Sequence, residues 1–331
     1  FLHRRNDAST DGSSVLASIR VSASGEPVLV SELAFPDRHA DESWRQATVH
    51  QGTQAFYVVT PSPSGVTPQT STIEVFDTSD PGGALVRGTT LEVPGDVATR
   101  TQLDEYDGVL RIITPNPPPP DSGFSLAPTV RTYRVSFPGQ VVPLGSTEVI
   151  LPGSYMDGFF RGARAYVVAY DSVREGLGQR LLTLVDLADA ASPRPGGSID
   201  LFGERSIGLA FDTSGERLLT LDFDTREENY GLELTLYDMR DAAKPARLDG
   251  VRLLDRDWTR APYDSGFVFL EDAGLALISY SVDLRGCGME NADVQFVSIG
   301  PQSLTVGGSV GASGQVLDAR APHDRMLLSY S

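Results

Sequence analysis

The side chains with most to offer chemically are scattered along the chain: Trp44, Arg45, Arg100, Gln102, Tyr155, Asp157, Trp258, Arg260, Tyr263, Asp264, Asp318 and Arg320. Arginine makes bidentate contacts to carboxylates, while Trp and Tyr join apolar area to a polar handle. Brought together, these residues could grip a peptide, a glycan or a small polar ligand. They could equally form internal ion pairs. Asp157, Asp264 and Asp318 add a catalytic alternative, a hydrolase or lyase in which one acts as acid or base and an arginine positions the substrate. That chemistry needs carboxylates at a defined separation, with protonation states split by environment. Sequence spacing establishes neither condition, so binding and catalysis both stay open.

A second acidic group, Asp222, Asp224, Glu227, Glu228 and Asn229, offers oxygen ligands of the kind calcium takes. It lacks the twelve-residue loop with central glycine of a helix-loop-helix calcium site, and a solvated turn accounts for it as well. The histidines His3, His39, His50 and His323 show no zinc-ligand spacing. No Gly-x-Ser-x-Gly nucleophile motif occurs, nor a phosphate loop ending in Gly-Lys-Ser/Thr. The single cysteine, Cys287, excludes an internal disulfide. No cofactor is expected.

Charge narrows the partners. The 331 residues carry 44 acidic and 27 basic side chains, a formal net charge of -17. Phosphate backbones are repelled by such a surface, so nucleic acid is not an expected partner. Protein, peptide or glycan is. Apolar residues come in short runs, far below the length that spans a bilayer. A chain beginning at Phe1 shows no signal peptide and is expected to have been processed or trimmed, as part of a larger polypeptide or surface assembly.

The elements that must position these residues come from a repeat. A strand-like segment recurs six times, and matching Val59, Ile113, Val168, Leu221, Ile278 and Leu328 gives intervals of 54, 55, 53, 57 and 50 residues. Each interval fits four strands, a to d from the centre outward, with period-two or continuous short apolar runs. In the second unit, strand a is expected over 100–106, b over 109–114, c over 130–136 and d over 141–150. Asp107-Gly108 reads as a tight hairpin turn. The c-to-d turns begin Asp77-Thr78-Ser79-Asp80, Asp186-Leu187-Ala188-Asp189 and Asp238-Met239-Arg240-Asp241. Their aspartates are expected to cap backbone amides rather than bind metal.

The ends complete the pattern. Residues 14–35 read as a c–d pair lacking a and b, and 315–330 as an a–b pair lacking c and d. The expected fold is therefore all-β: a single-domain, six-bladed β-propeller over 1–331 with four antiparallel strands per blade. Five complete blades occupy about 44–310, and two strands from each terminus close the last, removing open edges.

Strand-c endings of the form apolar-Asp-x-x-Asp-Pro, here Ile73-Glu74-Val75-Phe76-Asp77-Thr78-Ser79-Asp80-Pro81, resemble those of bacterial secreted and surface-associated β-propeller repeat proteins. The later turns depart from it, with Ala190 and Ala242 where Pro81 stands. The resemblance implies an extracellular, periplasmic or cell-surface location and an interaction role; the expected function is a noncatalytic binding or scaffold propeller, with the hydrolase or lyase as the alternative. The b-to-c and d-to-a connections are long and irregular, including Pro117-Pro118-Pro119-Pro120, whereas the opposite turns are compact. Recognition is expected on the long-loop face, with the residues named at the outset near the starts of strands a.

Overall fold

A computed structural model describes residues 2–5, 13–36, 48–53, 55–61, 69–116, 127–136, 140–171, 179–201, 205–212, 214–224, 231–253, 260–284, 289–311, 316–320 and 327–330. Its regular elements are strands and two short 3-10 turns, Arg100–Gln102 and Glu271–Ala273. Strands β1 (Leu2–Arg5), β2 (Ser13–Val21) and β3 (Pro27–Pro36) form a three-stranded sheet. Five four-stranded sheets follow. The first holds β4 (Thr48–Gln51), β5 (Ala55–Pro61), β6 (Thr70–Asp77) and β7 (Val86–Pro94). The second holds β8 (Leu103–Tyr106), β9 (Val109–Pro115), β10 (Pro128–Ser136) and β11 (Gln140–Glu148). The third comprises β12 (Ser154–Arg161), β13 (Arg164–Asp171), β14 (Gln179–Asp186) and β15 (Arg194–Leu201). The fourth comprises β16 (Arg205–Phe211), β17 (Arg217–Asp224), β18 (Gly231–Asp238) and β19 (Ala246–Arg252). The fifth comprises β20 (Arg260–Leu270), β21 (Leu275–Leu284), β22 (Met289–Ile299) and β23 (Leu304–Gly311). The C-terminal pair is β24 (Val316–Arg320) and β25 (Leu327–Tyr330).

Each four-stranded sheet pairs its strands in chain order. This is the blade of a β-propeller, and the six-bladed, all-β fold class is the one expected from the repeat. The strands of the sixth repeat are divided between the two ends of the chain. Two details differ from expectation. Strand β1 was not foreseen; it pairs with β2, Leu2 opposite Leu16 and Arg5 opposite Ser13. The first residues of the expected second a strand, Arg100–Gln102, form a 3-10 turn instead. The Gln102 side chain explains that turn, because its Oε1 accepts the amides of Ala98 at 2.7 Å and Thr99 at 2.8 Å. A side chain that satisfies two local amides favours a turn over a ladder.

The chain divides into two compact units, one of residues 1–168 and 185–195, the other of 169–184 and 196–331. In the first, Tyr57, Val59, Ile73 and Val75 pack with Leu103, Leu110, Ile112 and Tyr133, so one sheet faces the next. Ile113, Val130 and Val149 similarly meet Ala165, Val167, Val185 and Leu187. In the second, Leu219, Leu221, Leu234 and Leu236 pack with Ala276, Ile278 and Val297. The five repeat anchors with described side chains, Val59 to Ile278, are all buried.

The turns follow the expected chemistry. Asp107 and Gly108 both have positive φ, 52° and 72°, as a two-residue hairpin turn matched to strand twist requires. In the c-to-d turns, Asp77, Asp186 and Asp238 each accept the amide two residues on, from Ser79, Ala188 and Arg240. Asp80, Asp189 and Asp241 do the same for Gly82, Ala191 and Ala243. Every aspartate of the repeated Asp-x-x-Asp is thus spent on backbone capping.

Candidate functional site

Within the first unit, the inner strands of successive sheets carry two polar groups. One gathers around Gln102. Besides accepting the Ala98 and Thr99 amides, Gln102 donates through Nε2 to the Tyr155 hydroxyl at 2.8 Å and to the Ile113 carbonyl at 3.4 Å. Gln102 is buried, so these four bonds hold its amide in one orientation. Burial raises the Tyr155 phenol above its ordinary value, the Gln102 bond opposes that rise, and nearby Asp157 adds to it. Tyr155 therefore stays a neutral phenol at physiological pH.

Around this anchor lie groups open to solvent. Asp157 is exposed; its Oδ1 accepts the Gly158 amide at 2.7 Å and the Thr101 hydroxyl at 3.4 Å. Arg100, on the same 3-10 turn as Thr101 and Gln102, is exposed too. Four residues named from the sequence, Arg100, Gln102, Tyr155 and Asp157, thus fall on one 3-10 turn and the neighbouring β12. They do so at the start of inner strands, beside the end of β9 from which a long connection departs.

The second group was missed. Tyr57 donates to Glu105 Oε2 at 2.7 Å, and burial together with that carboxylate raises its phenol strongly. His50 lies 4.0 Å from Asp104 and tilts against the Tyr57 ring. Burial lowers the His50 imidazole below its ordinary 6.5, while Asp104, Glu105 and a bond to the Arg100 backbone pull the other way. Arg111, almost wholly buried, pairs with Asp104 and donates to the Gly162 carbonyl at 2.5 Å. Its guanidinium sits 4.8 Å from the Tyr106 ring centre and 4.9 Å from that of Phe160. Histidine spacing could not reveal this group, because the carboxylates that face His50, Asp104 and Glu105, come from the next repeat.

The remaining sequence candidates divide. Trp44, Arg45, Trp258, Glu227, Glu228 and Asn229 lie outside the described residues. Arg260, Tyr263 and Asp264 fall on β20, and Asp318 and Arg320 on β24, described as backbone only. Tyr263 and Asp264 occupy a break in the β20–β21 register, between Pro262 and Ser265. Whether Asp157, Asp264 and Asp318 converge therefore lies outside the described side chains. Asp224 ends β17. Asp222, expected in a solvated acidic loop, stands instead inside β17, fully buried, accepting Arg180 at 2.6 Å. Its register partner Glu233 is buried as well and binds Arg247 at 2.7 Å. Among the described residues, no group of three His, Cys, Asp or Glu side chains is placed to hold a metal ion.

A family model described as "Beta propeller domain" matches residues 44–310. Comparison with curated protein sequences gave no match. Among solved structures, the fold resembles a periplasmic gluconolactonase of Pseudomonas aeruginosa at 12% identity and a TM-score of 0.49, covering 92% of this chain and 78% of that one. It also resembles a protein from Lactobacillus plantarum, at 10% identity, a TM-score of 0.44, and coverage of 97% and 86%. A hypothetical selenium-binding protein from Sulfolobus tokodaii matches at 11% identity and a TM-score of 0.45, covering 92% and 76%. Likenesses this distant carry nothing about activity.

Proposed function

This chain belongs to the β-propeller domain family, and from that premise we propose that it is a binding propeller, noncatalytic, recognising a polar ligand at the long-loop ends of its inner strands. The ligand class is a protein, peptide or glycan. The observation that carries this reading is the fixed Gln102–Tyr155 pair beside exposed Arg100 and Asp157. A buried amide held by four bonds costs no further ordering when a ligand arrives, and such preorganisation favours affinity. Tyr155 offers amphipathic area, Arg100 a fork for carboxylates, and Asp157 an acceptor for hydroxyls and amides.

Probing the chain against glycan and peptide arrays tests this. Saturable capture is expected, and Arg100→Ala and Asp157→Ala should each weaken it at least about tenfold, the loss of one charged hydrogen bond. No saturable capture, or capture unchanged in both variants, overturns the proposal. The reading extends to an exported bacterial location, supported by the resemblance of the Asp-x-x-Asp-Pro turn to secreted propellers. Fractionation of the native host checks it, with recovery in the cytosol as the opposing result.

A further inference from the structure

Three of the c-to-d turns, those of the first, third and fourth sheets, begin Asp-x-x-Asp, and beyond that start the first departs from the other two. In the third and fourth sheets the turn reads Asp-x-x-Asp-Ala-Ala-x-Pro, ending at Pro193 and Pro245. Each packs tightly onto a glycine in the outer strand of the preceding sheet. A Cβ on Gly145 would lie 2.6 Å from the Ala191 carbonyl and 2.8 Å from Pro193 Cδ. One on Gly197 would lie 2.5 Å from the Ala243 carbonyl and 2.6 Å from Pro245 Cδ. Those junctions are full.

The first sheet's turn reads Asp77-Thr78-Ser79-Asp80-Pro81-Gly82-Gly83-Ala84, with Ala84 where Pro193 and Pro245 stand. The facing outer strand, β3, contains no glycine. Gly83 in the turn itself lies close to the sheet, a Cβ there falling 3.2 Å from Ser18 Oγ and 3.6 Å from Val30 Cγ1. Beside that contact the junction opens into a cavity of about 470 Å³. Its lining is Leu16, Ala17, Ser18 and Ile19 of β2, Gln51 and Phe56 flanking the β4–β5 turn, and Thr78, Gly83, Ala84 and Leu85 of the β6–β7 turn. A regular strand would offer the cavity alternate residues. The β2–β3 ladder breaks register between Ser18 and Ile19, with Val30 of β3 as the extra residue, and beside this bulge four successive residues of β2 line the space.

From this geometry we propose that the cavity is a binding site for a neutral, mainly apolar small molecule carrying one hydrogen-bonding group. The volume lies within the roughly 300–1,000 Å³ of small-molecule sites. None of the ten lining residues is ionisable, although the chain as a whole carries a formal charge of -17. A charged ligand would lose its hydration there without gaining a counter-charge. Leu16, Ile19, Phe56 and Leu85 supply the apolar walls, while Gln51 and Ser18 supply a donor and acceptor that fix orientation. Ile19 of this lining is half-exposed. The site is bordered by the short turns, so it is separate from the group around Gln102, and either can fail without the other.

The test uses the intact chain with Nile red as a neutral apolar probe. Saturable binding is expected, with methyl NMR shifts at Leu16, Ile19 and Leu85. The anionic dye anilinonaphthalene sulfonate should bind at least about tenfold more weakly. Filling the space from either wall, by Ala17→Phe or by Ala84→Leu, should weaken Nile red at least about tenfold. No saturable binding overturns the proposal. So do shifts confined to other methyls, equal affinity for both dyes, or a folded filling variant that keeps full affinity. The NMR result is read on the unsubstituted chain and decides the matter even if neither variant folds.

Discussion

Buried hydrogen-bonded side chains in the first unit have costs that can be measured singly. Removing the Tyr57 hydroxyl leaves Glu105 buried without its donor, so Tyr57→Phe should lower stability by about 1.5–3 kcal/mol in denaturant unfolding. His50 has the opposite kind of signature. The unfolded chain protonates this imidazole near pH 6.5, whereas burial delays protonation in the folded state to lower pH. Its contribution is therefore constant above that pH and is lost as pH falls from 6.5 through the depressed folded value. His50→Asn should flatten the stability profile across this window relative to the parent. Identical profiles would show that the carboxylates Asp104 and Glu105 cancel the effect of burial.

At the scale of elements, the sheets meet through turns that leave little slack. Gly145→Ala and Gly197→Ala each push a methyl against a carbonyl and a proline ring, and should cost about 1–3 kcal/mol. Gly108→Ala acts differently. Nothing stands near its Cβ, but φ is 72°, so the cost should be about 1 kcal/mol, from backbone strain alone. Thermal melts of the three variants separate packing from backbone strain. The aspartate turns behave as expected from their sequence, and Asp238, gripped by Arg240, has its carboxyl pushed down to about 2. The capping seen at Asp77, Asp186 and Asp238 is a local transaction between a side chain and the amide two residues on, which is why sequence alone could foresee it.

For the whole molecule, the excess of 44 acidic over 27 basic residues sets behaviour that no single contact controls. Self-repulsion of like charge is screened by salt, so Tm should rise as NaCl is raised from low millimolar to a few hundred millimolar. Binding to duplex DNA should be undetectable by gel retardation even at low salt. A falling Tm would mean that surface ion pairs such as Arg240–Asp238 outweigh the net repulsion. In the second unit, Arg180 and Asp222 form a fully buried ion pair. Asp222→Ala should cost about 3–5 kcal/mol by leaving a guanidinium buried without its carboxylate.

The sequence by itself determined the repeat, its strand order and its turns. Those rest on short-range causes: period-two burial, anchors spaced by 50 to 57 residues, and side chains that cap their own backbone. It also brought Arg100, Gln102, Tyr155 and Asp157 to attention, since strand starts in successive repeats must be neighbours. Only the tertiary structure decided which partners those residues take. Gln102 turns its own segment into a 3-10 turn and then reaches Tyr155 in the next repeat; His50 finds Asp104 there; and Asp222 is drawn out of an apparent acidic loop to face Arg180. Contacts between repeats depend on side chains more than forty residues apart meeting across packed sheets. Local pattern carries no record of them, and the unfilled junction beside Ala84 becomes visible only when three copies of one turn are seen against the strands they touch.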